Sequence, residues 1–413
     1  MLVEKITLTA RFKADLADVE ETVISEIYHL FKEYKEIVND LLGFAVDKHI
    51  TSFVELYHAK YRELRQRYPT LPSNHIINAC RCATSIYRSF IELRRLGMCK
   101  KEKPMFEGRV IWLSKHLFRL NAEGWRASIA VHGGRWITLR LLHGEYHNKF
   151  KEMRPSEIQL VLKRDGNLYL NVSFSQMVML PEISVDAKVI AVDINENVIA
   201  YGNNNFIERI VTNEGIIRTR YFLKRRRIQT KIRDKQLQYR LLEKYKGREW
   251  KRIREIYYKA AKKIISRALE IGATVIVMED LEQLNEEDKG SDELNGRIHR
   301  WSYKRFQRIL EYQAKLHGLN VIYINPAYTS KICPVCGDEL SQSQSGRRLM
   351  ICRRCGLEED RDVIAVKNLT KRYYEECVST KTSQNPSFMS GDQTYVGSPS
   401  SPRKPLDDMR GEG

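Results

Sequence analysis

Cys333-Pro334-Val335-Cys336, then Cys352-Arg353-Arg354-Cys355, then Asp360-Arg361-Asp362-Val363-Ile364-Ala365-Val366-Lys367-Asn368-Leu369: the reading of the whole chain turns on this stretch. Each couplet holds two soft thiols in a tight knuckle. The 15 residues between Cys336 and Cys352 suffice to fold back so that all four sulfurs meet around one Zn²⁺. Four thiolates leave such an ion no open coordination position, so the expected zinc is structural. The knuckles also fix the course of the chain just before Asp362, which leads into a helix-like segment from Val363 to Tyr374.

Further back, two more acids interrupt or end apolar strands. Asp193 lies in Lys188-Val189-Ile190-Ala191-Val192-Asp193-Ile194, and Glu279 follows Ala273-Thr274-Val275-Ile276-Val277-Met278. A carboxylate among Val, Ile and Ala is costly to bury unless it is paired or ligates a cation. If Asp193, Glu279 and Asp362 converge, three hard oxygen donors suit Mg²⁺ or Mn²⁺ rather than zinc. Two such ions roughly 3.5 to 4 Å apart can activate a water and stabilise the leaving 3′ oxygen of a phosphodiester. Asp280, Asp360 and Glu359 compete for the same roles, and an acid beside a turn often serves only as a cap.

The order of elements around these acids is that of an RNase H-like core. Strands at Lys188–Ile194, Val198–Tyr201 and Phe206–Val211 form a meander, and a long helical stretch fills 220 to 269. The strand ending at Glu279, a helix from about Ser302 to His317, the strand Asn320–Ile324 and the last helix follow. The zinc knuckles are inserted just before that helix. From residue 379 to Gly413 the chain is rich in Ser, Gly, Pro and Asp without apolar periodicity, which predicts disorder.

The amino-terminal half reads differently. Residues 1 to 14 alternate as a strand, residues 18 to 98 carry helix-spaced apolar residues, and from Met105 to Met177 the period returns to two. Arg164-Asp165-Gly166-Asn167 is a hairpin turn. The set predicts a small antiparallel barrel, joined by the opening strand across a helical insertion. Arg81, Arg88, Arg94 and Arg95 on the more polar side of the His75–Leu96 stretch form either a solvated surface or a phosphate contact.

The chain carries 70 Lys and Arg against 52 Asp and Glu, a formal charge of +18 over 413 residues. So large an excess fits a polyanionic partner, nucleic acid more easily than an anionic membrane. Between Lys224 and Arg267 stand 18 basic residues against four acids, with Tyr239, Tyr245, Trp250, Tyr257 and Tyr258 interleaved. A basic rod with aromatic platforms can hold a phosphate backbone and stack unpaired bases. Arg225, Arg226, Arg227, Lys231, Lys251, Arg252 and Arg254 are the candidates there, and Arg353 and Arg354, with Arg347 and Arg348 nearby, on the knuckles. No run of about 18 apolar residues exists, and Glu4 and Lys5 stand where a signal peptide needs an apolar stretch. Four scattered cysteines besides the two couplets suit a reducing compartment.

At these residues the chain resembles the TnpB family, transposon-encoded RuvC-like nucleases related to type V CRISPR effectors. The likeness is strongest in Tyr328–Gly337, Cys352–Gly356 and Asp360–Leu369, and Val192-Asp193-Ile194 and Val277–Leu281 look like the family's first two catalytic segments. The resemblance implies a multidomain α+β protein. Residues 1–14 and 105–180 would be a wedge-like β-barrel and 15–104 a helical recognition domain. A RuvC-like nuclease domain would span 185–332 and 357–378, with the zinc ribbon at 333–356 and a tail at 379–413. It implies an RNA-guided DNA endonuclease using catalytic Mg²⁺ or Mn²⁺ and structural Zn²⁺, with Asp193, Glu279 and Asp362 catalytic. The guide RNA would derive from the transposon end, a short motif beside the target DNA would be read by the protein, and base pairing would supply the remaining specificity. A monomeric ribonucleoprotein in a prokaryotic cytoplasm, associated with the nucleoid and not with membrane, is the expected setting. Two positions depart from the family: Ile194-Asn195-Glu196-Asn197 lacks the glycine usual after the first acid, and Ile364 replaces a usual asparagine. A catalytically inactive RNA-guided DNA-binding regulator of the same fold is the alternative. A scaffold built around zinc would leave the charge and the acids unexplained.

Overall fold

The computed structural model describes residues 2–99, 101–281, 296, 301–344, 346 and 348–382, with side chains to residue 377. Arg347 and the predicted disordered tail from residue 383 onward lie outside the described residues. Within the described residues the chain divides into two compact units, residues 5–176 and residues 2–4 with 177–382.

In the first unit, strand β1 (Leu2–Asp15) is followed by helices α1 (Glu21–Asp47), α2 (Phe53–Arg67) and α3 (Ser73–Arg95). Ile27, Leu30, Phe31, Tyr34, Ile37, Val38, Leu41, Leu42 and Ala45 of α1 are buried, the three-and-four spacing of one helical face. Each of the Ile, Leu, Val and Phe side chains fully buried there stabilises by about 1.5–3 kcal/mol. Ser52 caps α2 by accepting from the Glu55 N–H, and Arg65 and Arg67 in its last turn complement the helix dipole. Ile91 of α3, whose spacing fits the buried stripe, is 40% exposed.

Strands β2 (Val110–Ser114), β3 (Phe118–Asn121), β4 (Arg126–Ala130), β5 (Trp136–Leu142), β6 (Arg154–Leu162) and β7 (Leu168–Leu180) then build a seven-stranded sheet with β1, the short helix α4 (Glu145–Asn148) lying between β5 and β6 in sequence. In the order β2-β6-β7-β1-β5-β4-β3 the opening strand joins the set, as expected, and takes its centre, with β2 and β3 at the ends of the sheet. Ile6, Leu8, Ala10, Phe12 and Ala14 on β1 are buried and their neighbours are not, so a strand remote in sequence supplies a central stripe. β3 adds a strand that alternation does not reveal, because four residues are too short to display a period.

The second unit holds a five-stranded sheet in the order β10-β9-β8-β11-β12. β8 (Val189–Ile194), β9 (Val198–Gly202) and β10 (Ile207–Val211) form the antiparallel meander, while β11 (Val275–Glu279) and β12 (Asn320–Ile324) add parallel to β8. Between β10 and β11 the expected single helical stretch is two helices, α5 (Glu214–Lys231) and α6 (Lys235–Glu270). The break falls at Asp234, whose carboxylate accepts from the N–H groups of Gln236 and Leu237 and so starts a new helix. Ile190, Val192, Ile276 and Met278 face α6 and α7 (Tyr303–Leu316) through Ile253, Tyr257, Ile264, Phe306 and Leu310. Val189, Ala191, Val275 and Val277 form the opposite face, packed on Val366, Leu369 and Tyr373. Those three residues belong to α8 (Arg361–Thr382). This helix is longer than the predicted 363–374 and takes in the first residues of the expected tail.

Strands β13 (Leu340–Gln342), β14 (Leu349–Cys352) and β15 (Glu358–Asp360) make a small antiparallel sheet between β12 and α8. Both knuckles close alike: Gly337 donates to the Cys333 carbonyl and Gly356 to that of Cys352, at φ of +78° and +76°. A side chain at either position would strain that turn. Among the described residues no helix is long and apolar enough to cross a membrane.

Candidate functional site

The parity of two strands brings two acids to one face. Val192 pairs in register with Met278, so the next position along each parallel strand carries Asp193 and Glu279. Side chains alternate along a strand. Asp193 and Glu279 therefore project with Ala191 and Val277 toward the face that α8 covers, and α8 carries Asp362 in its first turn. All three are buried, at 6%, 9% and 3% exposure, while Asp280, one step further on, is exposed.

Hydrogen bonds tie the acids together. Asn195 Nδ2 donates to Asp193 Oδ2 at 2.6 Å and to Asp362 Oδ1 at 3.1 Å, so one amide spans acids 169 positions apart in the chain. Thr329 Oγ1 donates to Glu279 Oε1 at 2.6 Å. Asn368 Nδ2 in turn donates to the carbonyls of Thr329 and Ile332, each at 2.7 Å, fastening that loop to α8. Two guanidiniums lie on the outer side: Arg348 pairs with Asp362, and Arg209 approaches Asp360 at 2.6 Å and Asp362 at 3.8 Å. The competing acids have other duties. Asp360 caps α8 by accepting from the Asp362 N–H, and Glu359 pairs with Lys367.

Burial raises the pKa of Asp193 well above the carboxylate range, reinforced by the charges of Glu279 and Asp362 and opposed by Asn195 and Arg361. Burial also raises Glu279, against the Thr329 hydrogen bond and Arg361 and Arg372. Asp362 is raised by burial and by Asp360, against Arg348 and Arg209. Carboxyls held out of water near one another resist ionisation, and a bound cation would relieve that cost.

Among the described residues, two groups have ligand atoms all within 4.8 Å of one another: the four cysteines of the knuckles, and His29, Glu33 and His132 in the first unit. The three carboxylates are more widely spread, with Asn195 and Arg348 set against them. The cysteines pair across the knuckles, Cys333 Sγ to Cys355 Sγ at 3.5 Å and Cys336 Sγ to Cys352 Sγ at 3.3 Å. Four sulfurs so gathered match the donor set of a tetrahedral metal site. Ile364 is fully buried against Cys333, Leu340 and Cys352. The departure at this position thus serves packing: it braces the knuckles on α8 two residues past Asp362.

Of the basic candidates, Arg226, Arg227, Lys231, Lys251, Arg252, Arg254, Arg353 and Arg354 are exposed. Arg225 is half-buried and ion-paired to Glu249, which Arg218 also reaches. Tyr257 is a core residue bonded to Glu214, so it is no stacking platform. Tyr239, Trp250 and Tyr258 are exposed, and Arg254 lies 4.3 Å from the Trp250 ring centroid.

Sequence reasoning missed the partners of the acids. Thr329, Arg348 and Asn368 stand within or beside the motifs quoted above, but their roles depend on contacts made across the fold. Asn195 was visible only as a departure from a family pattern. His29, Glu33 and His132 gave no signal, because about a hundred residues separate the last from the first two.

A family model described as "Cas12f1-like, TNB domain" matches residues 303–369, and one described as "Uncharacterized protein MJ0013 family" matches residues 30–129. A TnpB-like protein of Methanocaldococcus jannaschii is 33% identical over 263 residues, which are 60% of this chain and 91% of that protein. The CRISPR-associated endodeoxyribonuclease Cas12f1 of Syntrophomonas palmitatica is 24% identical over 341 residues, 73% of this chain and 67% of that one. In fold, the chain resembles the Cas12f1 of a complex with single-guide RNA and target DNA, with a TM-score of 0.61 over 89% of this chain and 99% of that one at 15% identity.

Proposed function

The chain belongs to the TnpB family, and from that premise we propose that it is an RNA-guided, divalent-metal-dependent DNA endonuclease encoded by a transposable element. The observation that carries the chemistry is the convergence of Asp193, Glu279 and Asp362 beneath the first turn of α8, two of them bridged by a single amide. Buried hard oxygen donors of this kind fit Mg²⁺ or Mn²⁺. When bound, such ions supply an activated water and a stabilised leaving oxygen.

The chain's own groups do the rest. Asp193, Glu279 and Asp362 hold the cations, Thr329 orients Glu279, and Asn195 orients Asp193 and Asp362. Arg348, paired with Asp362, is positioned to meet the charge of a phosphate once cations have taken over that carboxylate. Cys333, Cys336, Cys352 and Cys355 hold a structural Zn²⁺, which keeps the knuckles packed on Ile364 and thereby fixes the start of α8.

Partner assignment follows from the same premise. The guide RNA comes from the transposon end and pairs with target DNA, while the exposed bases of α5 and α6 and Arg353 and Arg354 hold phosphate. Residues 1–14 with 105–180 serve as the wedge-like part and 15–104 as the recognition part, and the particle works as a monomeric ribonucleoprotein on the nucleoid.

The test is to purify the chain with its bound RNA and assay Mg²⁺-dependent cutting of matched DNA. Asp193→Asn is expected to slow cutting by roughly a thousandfold or more, as loss of about 4 kcal/mol of metal-assisted stabilisation requires, with DNA affinity unchanged within about threefold. Undiminished cutting by this variant would show that the site lies elsewhere. An RNA of random cellular origin would oppose guided action.

A further inference from the structure

The second gathered group of ligand atoms lies far from the nuclease reading in sequence and in chemistry. His29 and Glu33 stand four apart on α1, the spacing that sets two side chains side by side on one helical face. His132 reaches them from the turn between β4 and β5. That turn is tied by the Val131 N–H to the Arg135 carbonyl and by the Gly133 N–H to the Thr70 carbonyl, both at 2.9 Å, with Gly133 and Gly134 at φ of +64° and +72°. Two successive residues in this conformation make a bend that side chains would resist, and the bend returns His132 toward α1.

Glu33 serves both rings, one oxygen to each. His29 Nε2 lies 3.2 Å from Oε1, His132 Nε2 bonds Oε2, and the two imidazole centroids are 5.2 Å apart. All three ligand atoms fall within 4.8 Å of one another. Ligands about 2.0–2.2 Å from a tetrahedral zinc stand roughly 3.3 Å apart, so the His29–Glu33 separation is already that of two ligands of one ion. Glu33 and His132 side chains are 18% and 14% exposed while that of His29 is 57% exposed, which gives a fixed base and an open entrance.

We propose that His29, Glu33 and His132 form a second metal site, separate from the knuckles and the three acids, for a borderline divalent ion of the zinc class. Two imidazole nitrogens and one carboxylate suit Zn²⁺ and disfavour Mg²⁺. On binding, the Nε2 lone pairs of the two rings and an oxygen of Glu33 would turn from one another to the ion. The ion joins α1 to the β4–β5 turn and leaves a position open to water.

The experiment loads the full chain with Zn²⁺ alone in millimolar Mg²⁺, which keeps hard carboxylate sites satisfied, then removes free metal and counts zinc per chain by mass spectrometry. His29→Ala and Glu33→Gln should each hold one equivalent less than wild type. Substitution of the exposed His58 to Ala should leave the count unchanged. Because His29 is largely exposed, its variant should melt with wild type in the absence of added zinc, and on addition of zinc wild type should gain more thermal stability than the variant, since zinc held by the knuckles stabilises both alike. Equal zinc counts in wild type and both variants, or equal zinc-induced stabilisation in wild type and His29→Ala, would overturn the proposal.

Discussion

Asn195, in the segment that lacks the glycine usual soon after the first acid, supplies an amide that donates to Asp193 and Asp362 together. Hydrogen bonds to charged groups are worth about 1.5–3 kcal/mol, so Asn195→Ala is expected to slow cutting at saturating Mg²⁺ by about tenfold or more. The amide lowers the pKa of Asp193. Its loss should therefore move the acid limb of the pH–rate profile toward higher pH, and an unmoved limb would contradict this role. The sign for stability follows from the raised pKa values of all three acids. Their preference for the neutral form stabilises the metal-free fold fully below the ordinary carboxylate range and is lost as pH rises through the raised values. Melting with and without Mg²⁺ across that window should show a metal-induced gain that grows with pH. The acids themselves were legible, because charge inside an apolar strand is conspicuous. Their partners were not, since Asn195, Thr329 and Asn368 are ordinary polar residues until the fold brings them into contact.

At the scale of elements, the exposed face of α6 carries Lys251, Arg252 and Arg254, whereas Arg225 of α5 is engaged by Glu249. Replacing the first three by alanine should reduce the slope of log affinity against log salt by about 2 to 3, near one for each lost phosphate contact. Arg225→Ala should barely alter that slope and should instead lower stability by roughly 1–2 kcal/mol. Reversed effects would exchange the two roles. Cys336→Ser should loosen the knuckles, uncover Ile364 and lower the melting temperature along with cutting, even though no acid is touched. Element type was legible where helical periodicity ran long, as in α1 and α3, and where a continuous apolar run carried or ended at a carboxylate, as in β8 and β11. Boundaries were less so: Asp234 divides one basic run into two helices through a cap that charge counting does not register, and β3 is too short to announce itself.

For the whole molecule, strand order rests on pairings remote in sequence, which the chain reveals only through the succession of meander, helices, parallel strands and final helix. That succession matched an RNase H-like core but left the adjacency of β8 and β11, and so of Asp193 and Glu279, as a condition, which the sheet order meets. It could not foresee the His29–Glu33–His132 group, which needs the register of a turn against a helix. On the proposed function, Asp193, Glu279 and Asp362 together seat divalent cations. Anomalous scattering at the manganese edge from crystals of the full chain soaked in Mn²⁺ tests it most directly. A peak coordinated by carboxylate oxygens of Asp193 and Asp362 with Glu279 beside it, absent in Asp193→Asn, is expected; manganese bound elsewhere while this pocket stays empty would refute the site.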